Sequence, residues 1–259
     1  MAADDLPVPP RLRKARPRAT HMTKPPLNAE AIARAALELI EEEGYDNLNM
    51  RKLAQRLGTG PASLYTHVEN REALLDLVFD LLVGEMEIPD PEPGRWQEQL
   101  KDVMRAQHDV YLRHRDVAKI ALARVPTGER GLVGIERLLA VLRAAGLPDV
   151  VVGYAPDLVA LYVAAVSLEQ SLWEPDMTEQ EVVAFTEQMR DYFASLPADR
   201  FPNLVAMAGP LTGSASGDLG ALVPPDRGWD DRFEFGMDVI VRGLASFAAD
   251  VDGAKGAEG

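Results

Sequence analysis

Residues 47–78 read NLNMRKLAQRLGTGPASLYTHVENREALLDLV. Two short apolar-patterned segments flank the Gly-Thr-Gly-Pro run at 58–61, and each starts behind a residue suited to open a helix. Asn49 caps the first, which turns Leu53, Ala54 and Leu57 inward and stops at Gly58. Pro61 suits the first turn of the second, where its missing N–H would have no helical partner anyway. That second helix is about two turns long. Asn70 caps a longer third one, whose apolar set is Leu74, Leu75, Val78, Leu81 and Leu82. Upstream, Asn28 caps a helix carrying Ile32, Ala36, Leu39 and Ile40, and Gly44 ends it with the left-handed residue that a C-cap favours.

Helix, Gly-containing turn, second short helix is the helix-turn-helix arrangement. Its first helix crosses a DNA backbone and its second enters the major groove. Leu53, Leu57, Leu64 and Val68 would form the small core between the two. Pro61, Ala62, Ser63, Thr66 and His67 then face outward, small or polar groups suited to thymine methyls, base edges and phosphates. Tyr65 adds a hydroxyl long enough to reach a phosphate, and Arg51 and Arg71 flank the set. Two short helices about a Gly turn also occur in proteins that never touch DNA, so the pattern leaves that alternative open.

Net charge argues against DNA at first sight, because the chain of 259 residues carries a formal −14. The charge is uneven, however. Residues 1–75 hold 11 Lys and Arg against 10 Asp and Glu, whereas the remainder holds 16 against 31. The acidity belongs to the body, and the run RLRKARPRATHMTK at 11–24 is basic. Residues 1–27, rich in Pro and Arg, read as a disordered arm able to track a DNA backbone, and Met22 offers a second translation start. This N-terminus lacks the apolar run of a signal peptide. No uncharged apolar stretch reaches 18 residues, so no membrane span is expected, and the richest run, at 150–168, reads as a buried helix. With zero cysteines there are no disulfides, thiolate metal sites or Cys nucleophiles, and the cytoplasm is the simplest compartment.

Beyond the proline-bounded joint IPDPEPG (88–94) the pattern stays helical, with helices expected near 95–114, 116–124, 128–145, 149–173, 178–196 and 229–250. The segment 197–228, rich in Pro, Gly, Ser and Asp, reads as a mobile connection. No period-2 alternation is long enough for a strand. The fold class is all-α, about nine to ten helices. The division is a helix-turn-helix domain at 28–75 with its connecting helix to about 86, a larger domain at 87–250, and a flexible tail at 251–259.

The run at 47–78, with its RKLAQ, LY-HV-N and ALLD pieces, resembles the DNA-binding domain of the TetR family, and the likeness spans 28–83 almost without a gap. RWQEQL (95–100), HRDVAKIALARVP (114–126), LRAAGL (142–147) and FEFGMDVIVRGL (233–244) are similar to the body of the tetracycline repressors. The resemblance implies a dimeric, ligand-released repressor on a palindromic operator. Helices 149–173 and 229–250 would form a four-helix bundle with their mates. Leu158, Leu161, Ala165 and Leu168 supply one apolar stripe for it, and Val239, Leu244 and Phe247 another. It also implies that ligand shifts the helix at 116–124, swings the one at 70–86 and changes the separation of the two reading heads.

The chain departs from these relatives where they hold a magnesium–drug chelate. Their drug-contacting His matches Ala121, a second His and an Asn match Glu87 and Val103, and a Gln matches near Leu138. The Glu that holds the metal's water shell is matched by Glu169, without an imidazole partner. Hard cations want several converging oxygens, so no metal and no cofactor are expected. The expected pocket is Val103, Gln107, Tyr111, Ala121, Val125, Leu138, Tyr162, Val166, Glu169 and Trp173, suited to a bulky hydrophobic or planar aromatic, antibiotic-like molecule. Each of these side chains reads equally well as plain core. His108 and His114, six apart, do not share a helix face and are no metal pair. The acidic pairs read as solvated surface, so no catalysis is expected. Alternatives on the same fold are a small-molecule-binding enzyme or sequestering protein, an activator, or a hormone-type signal receptor.

Overall fold

The computed structural model describes residues 27–92, 94–114, 116–173, 178–212 and 229–257. Among them there are helices and no strand. The amino-terminal part comprises α1 (Ala29–Glu43), a 3-10 turn (Tyr45–Asn47), α2 (Met50–Arg56), α3 (Pro61–Tyr65) and α4 (Arg71–Val83). The body follows with α5 (Trp96–Arg113), α6 (Val117–Leu122), α7 (Glu129–Ala144) and α8 (Asp149–Trp173), then α9 (Glu179–Ala194), α10 (Pro202–Ala206), α11 (Ala208–Leu211) and α12 (Trp229–Ala257).

The three asparagine caps form as the sequence demands. Asn28, Asn49 and Asn70 accept from the backbone N–H groups of Ala31, Lys52 and Ala73 at 2.7, 2.9 and 2.9 Å. Gly44 adopts φ 89° and ψ 155°, a conformation open to glycine but outside the left-handed helical well expected of it. Its N–H still closes on Ile40 O at 2.8 Å.

Ile32, Ala36 and Ile40 of α1 are fully buried against α4, whose Leu74, Leu75, Val78 and Leu82 face them. In the body, α5, α6 and α7 pack around α8, and α12 lies against α5 and α8. Gln99 staples the proline joint to α5: its amide donates to Asp90 O at 2.7 Å and accepts from Glu92 N at 3.0 Å.

Two boundaries differ from expectation. Segment 197–228 contains α10 and α11, which pack on α9 and were hidden by their brevity and their prolines; residues 213–228 lie outside the described ones. Helix α12 continues to Ala257, through most of the stretch assigned to a tail. The expected basic arm lies outside the described residues except for Leu27. Helix α8 is long and apolar enough to cross a membrane by length and composition alone. It is buried on one face only: Val152, Ala155, Val159 and Val163 point into the core, while Val150, Tyr154, Leu158, Leu161 and Leu172 are exposed.

Candidate nucleic-acid interface and ligand-binding body

Leu53 and Leu64 are fully buried and Val68 nearly so, which locks α3 across α2. Leu57, only partly buried, seals the edge. The turn between the helices is tied by Gly58 N to Gln55 O at 3.0 Å and Thr59 N to Ala54 O at 2.9 Å, with Gly58 at φ 62°. This arrangement leaves Pro61, Ala62, Tyr65, Thr66 and His67 exposed and Ser63 half-buried, all on or beside α3. The Thr66 hydroxyl donates to Ser63 O at 2.7 Å, so it offers a partner its methyl and a lone pair rather than a proton.

The basic residues near this face are not equivalent. Arg51 is exposed at the start of α2. Lys52 and Arg56 turn back to the acidic end of α1, Lys52 to Glu43 at 2.5 Å and Arg56 to Glu42. Glu42 and Glu43, at the close of α1, therefore neutralise the rear of α2. Arg71 departs from its expected place among the DNA contacts. Its guanidinium is half-buried, 4.8 Å from the centre of the Tyr45 ring, and donates to Tyr45 O and Leu48 O at 3.2 and 3.3 Å. It joins the start of α4 to the turn after α1.

Head and body meet around α4 and α6. Asp116, in the left-handed region at φ 63°, accepts the Tyr45 N–H at 2.9 Å and lies 3.0 Å from Lys119 Nζ. His114 spans two carboxylates, Glu41 at 2.6 Å and Glu85 at 3.1 Å, so it links the ends of α1 and α4. Sequence reasoning dismissed this histidine as a metal ligand and had no signal for the bridge, since its partners lie far away along the chain.

Within the body, Val103, Tyr111 and Leu138 are buried, and Ala121, Tyr162 and Val166 are partly buried against the core. Gln107 donates to the Tyr111 hydroxyl at 2.8 Å, and burial pushes the Tyr111 phenol up to about 12. Tyr162 donates to Phe233 O at 2.9 Å and its phenol is likewise pushed up to about 12, chiefly by burial. Two expected pocket residues do not fit. Val125 is 74 % exposed, because the chain leaves α6 before reaching it. Glu169 does not face an open cavity as a lone acid: it grips Arg232 of α12 at 3.0 Å. Trp173 ends α8, and its side chain lies outside the described ones.

A buried polar group was missed. His108 places Nδ1 2.7 Å from Ser167 Oγ, and that hydroxyl lies 2.7 Å from Val163 O. The His108 ring stacks on Phe233 at 4.2 Å, and Phe233 on Tyr162 at 5.9 Å. Together these side chains form a polar and aromatic layer among α5, α8 and α12. The legible signal was Ser167 interrupting an otherwise apolar run. Outside this layer, Arg105 forks Glu234 at 2.7 and 2.8 Å and Lys101 pairs with Asp238 at 2.7 Å, tying α5 to α12.

Comparison with known proteins matches both halves. Residues 32–78 fit the model for bacterial regulatory proteins of the tetR family, and 88–247 that of the tetracyclin repressor-like C-terminal domain. An HTH-type transcriptional regulator from Saccharopolyspora erythraea is 31% identical over 233 residues, covering 90% of this chain and 91% of that protein. The crystal structure of apo ActR from Streptomyces coelicolor superposes with a TM-score of 0.75 at 45% identity, over 87% of this chain and 98% of that one. ActR in complex with actinorhodin gives 0.74 at 46% identity, over 86% and 99%.

Proposed function

The chain belongs to the TetR family of bacterial regulatory proteins, and on that footing we propose that it is a dimeric repressor released from a palindromic operator by a bulky, largely aromatic ligand. The carrying observation is the reading face. Leu53, Leu64 and Val68 lock α3, and the small and polar residues from Pro61 to His67 stand outward with Arg51 beside them. A helix so short, so firmly held from behind and so little engaged with the rest of the chain on its outer side suits a major groove.

The dimer reading is supported by the stripe Tyr154, Leu158 and Leu161 on α8 beside Phe235, Val239 and Phe247 on α12, apolar side chains left uncovered in one protomer. Leu244, expected on that stripe, is buried in the protomer's own core, and Leu168 is partly buried there. The ligand reading draws on the aromatic layer around Phe233, and on the similar ActR having been solved with actinorhodin. With Glu169 held by Arg232, the recognition we propose is apolar and stacking, not chelation. The proposed target is a neighbouring export or resistance gene.

The test is a gel shift of the DNA upstream of the gene, titrated with actinorhodin and, separately, with a tetracycline–magnesium complex. Specific retardation relieved by actinorhodin alone supports the reading. Release by the tetracycline chelate alone overturns the ligand class, and absence of specific binding at low salt overturns the repressor.

A further inference from the structure

Helix α4 presents Glu72, Asp76 and Asp80 at four-residue spacing, one above another on a single face. All three are held by the segment that joins α6 to α7 and by the first turn of α7. Arg124, just beyond the end of α6, gives one terminal nitrogen to Asp76 and the other to Glu72. Asp80 accepts the Gly131 backbone N–H at 2.9 Å, and a Cβ at Gly128 would collide with the Asp80 carboxylate. The Arg124 side chain is only 11 % exposed. One charged pair fixes a distance. A planar guanidinium forked between carboxylates a turn apart fixes both rotation and translation of the helix that carries them. A groove of about 350 Å³, lined by His67, Val68, Leu77 and Thr127 among others, separates this strap from the end of α3.

We propose that Arg124 is the positioning residue through which α6 moves α4. A ligand-driven displacement of α6 is handed to the reading head through the Arg124 fork on Glu72 and Asp76, rather than by apolar packing alone. The proposal rests on the reading of the body as ligand-binding. It assigns that coupling to a residue lying outside both the DNA face and the ligand-facing set.

Arg124→Met keeps the aliphatic stem and removes the fork, while Glu72→Gln with Asp76→Asn removes the charges from the other side. With actinorhodin as the ligand probe, each variant binds operator within about threefold of wild type and still binds actinorhodin. The factor by which actinorhodin weakens operator binding, on the order of a hundred for couplings of this kind, falls about tenfold or more. By reciprocity, operator then ceases to weaken actinorhodin binding, which a merely loosened fold would not produce. If wild type ignores actinorhodin, the ligand reading fails, and the fork is judged without ligand. The chain has no cysteine, so Gln55→Cys places one spin label on each head of the dimer. The head-to-head distance distribution, narrow in the parent, broadens with Arg124→Met. A wild-type release factor or an unchanged distribution overturns the proposal. Should Arg124→Met fail to fold, Asp76→Asn alone is read by the same two measures.

Discussion

Tyr65 is 52 % exposed at the end of α3, and its hydroxyl is the longest reach on that face. Tyr65→Ala is expected to weaken binding to operator and to unrelated duplex by similar factors, because a phosphate contact positions without reading sequence. Thr66→Val, which keeps a methyl and loses the oxygen, should instead change the preferred base, at about 1–3 kcal/mol for each base edge no longer met. Competition gel shifts against randomised half-sites separate the two effects. Arg51 and Arg71 part company in the same way. Arg51→Ala lowers the slope of log affinity against log salt by about one unit, since it removes one counterion-releasing group. Arg71→Ala leaves that slope nearly unchanged and costs about 1–3 kcal/mol of stability, because two buried-side carbonyls and the Tyr45 ring lose their cation. The sequence placed Arg71 at the start of α4 correctly, yet could not say which way its guanidinium turned. That direction depends on Tyr45, 26 residues earlier.

At the level of elements, helix existence was legible wherever a cap or a Gly–Pro punctuation met a clean apolar period. Each of the asparagine caps is local chemistry that needs no tertiary partner. What stayed hidden was tertiary: α10 and α11 have too few residues to show a period, and the polar layer around His108 joins residues 59 apart. The same holds for the tie between α5 and α12. Arg105 beside Glu234 holds that carboxyl below its ordinary value of 4.5. A depressed acid contributes stability above its unfolded pKa and loses it as pH falls through the folded one. The body should therefore keep its full melting temperature above about pH 5 and lose part of it below pH 4.5. Glu234→Gln should be less stable at neutral pH and show a flatter acid limb. Thermal melts between pH 3 and 7 check both, and a parallel acid limb in the variant removes Glu234 from the account.

For the molecule as a whole, the decisive surface is the one a single protomer leaves uncovered. Tyr154 is 73 % and Leu161 49 % exposed on α8, and the run Tyr154, Leu158, Leu161 follows the i, i+4, i+7 spacing of a packed seam. On α12 the neighbouring stripe includes Gly243, where an added Cβ would meet nothing within 4 Å, so that position is open to a partner's side chain. Apolar stripes on adjacent helices that stay in water are costly, and a two-fold copy covers both at once. Leu161→Glu should thus yield a folded monomer, since the side chain lies outside the protomer's own core. Leu244→Glu, at a buried position, should instead unfold the body. Operator binding follows from the first outcome. Two linked heads gain from each other by effective concentration, so separating them should lower affinity for a full palindrome by about 100-fold or more while sparing the weak affinity for one half-site. Sedimentation of Leu161→Glu, run beside a gel shift on full and half operators, reads both. If that variant remains dimeric and holds the palindrome as wild type does, the stripe is not the interface. The head separation on which the proposed release depends would then have to be set by another face of the body.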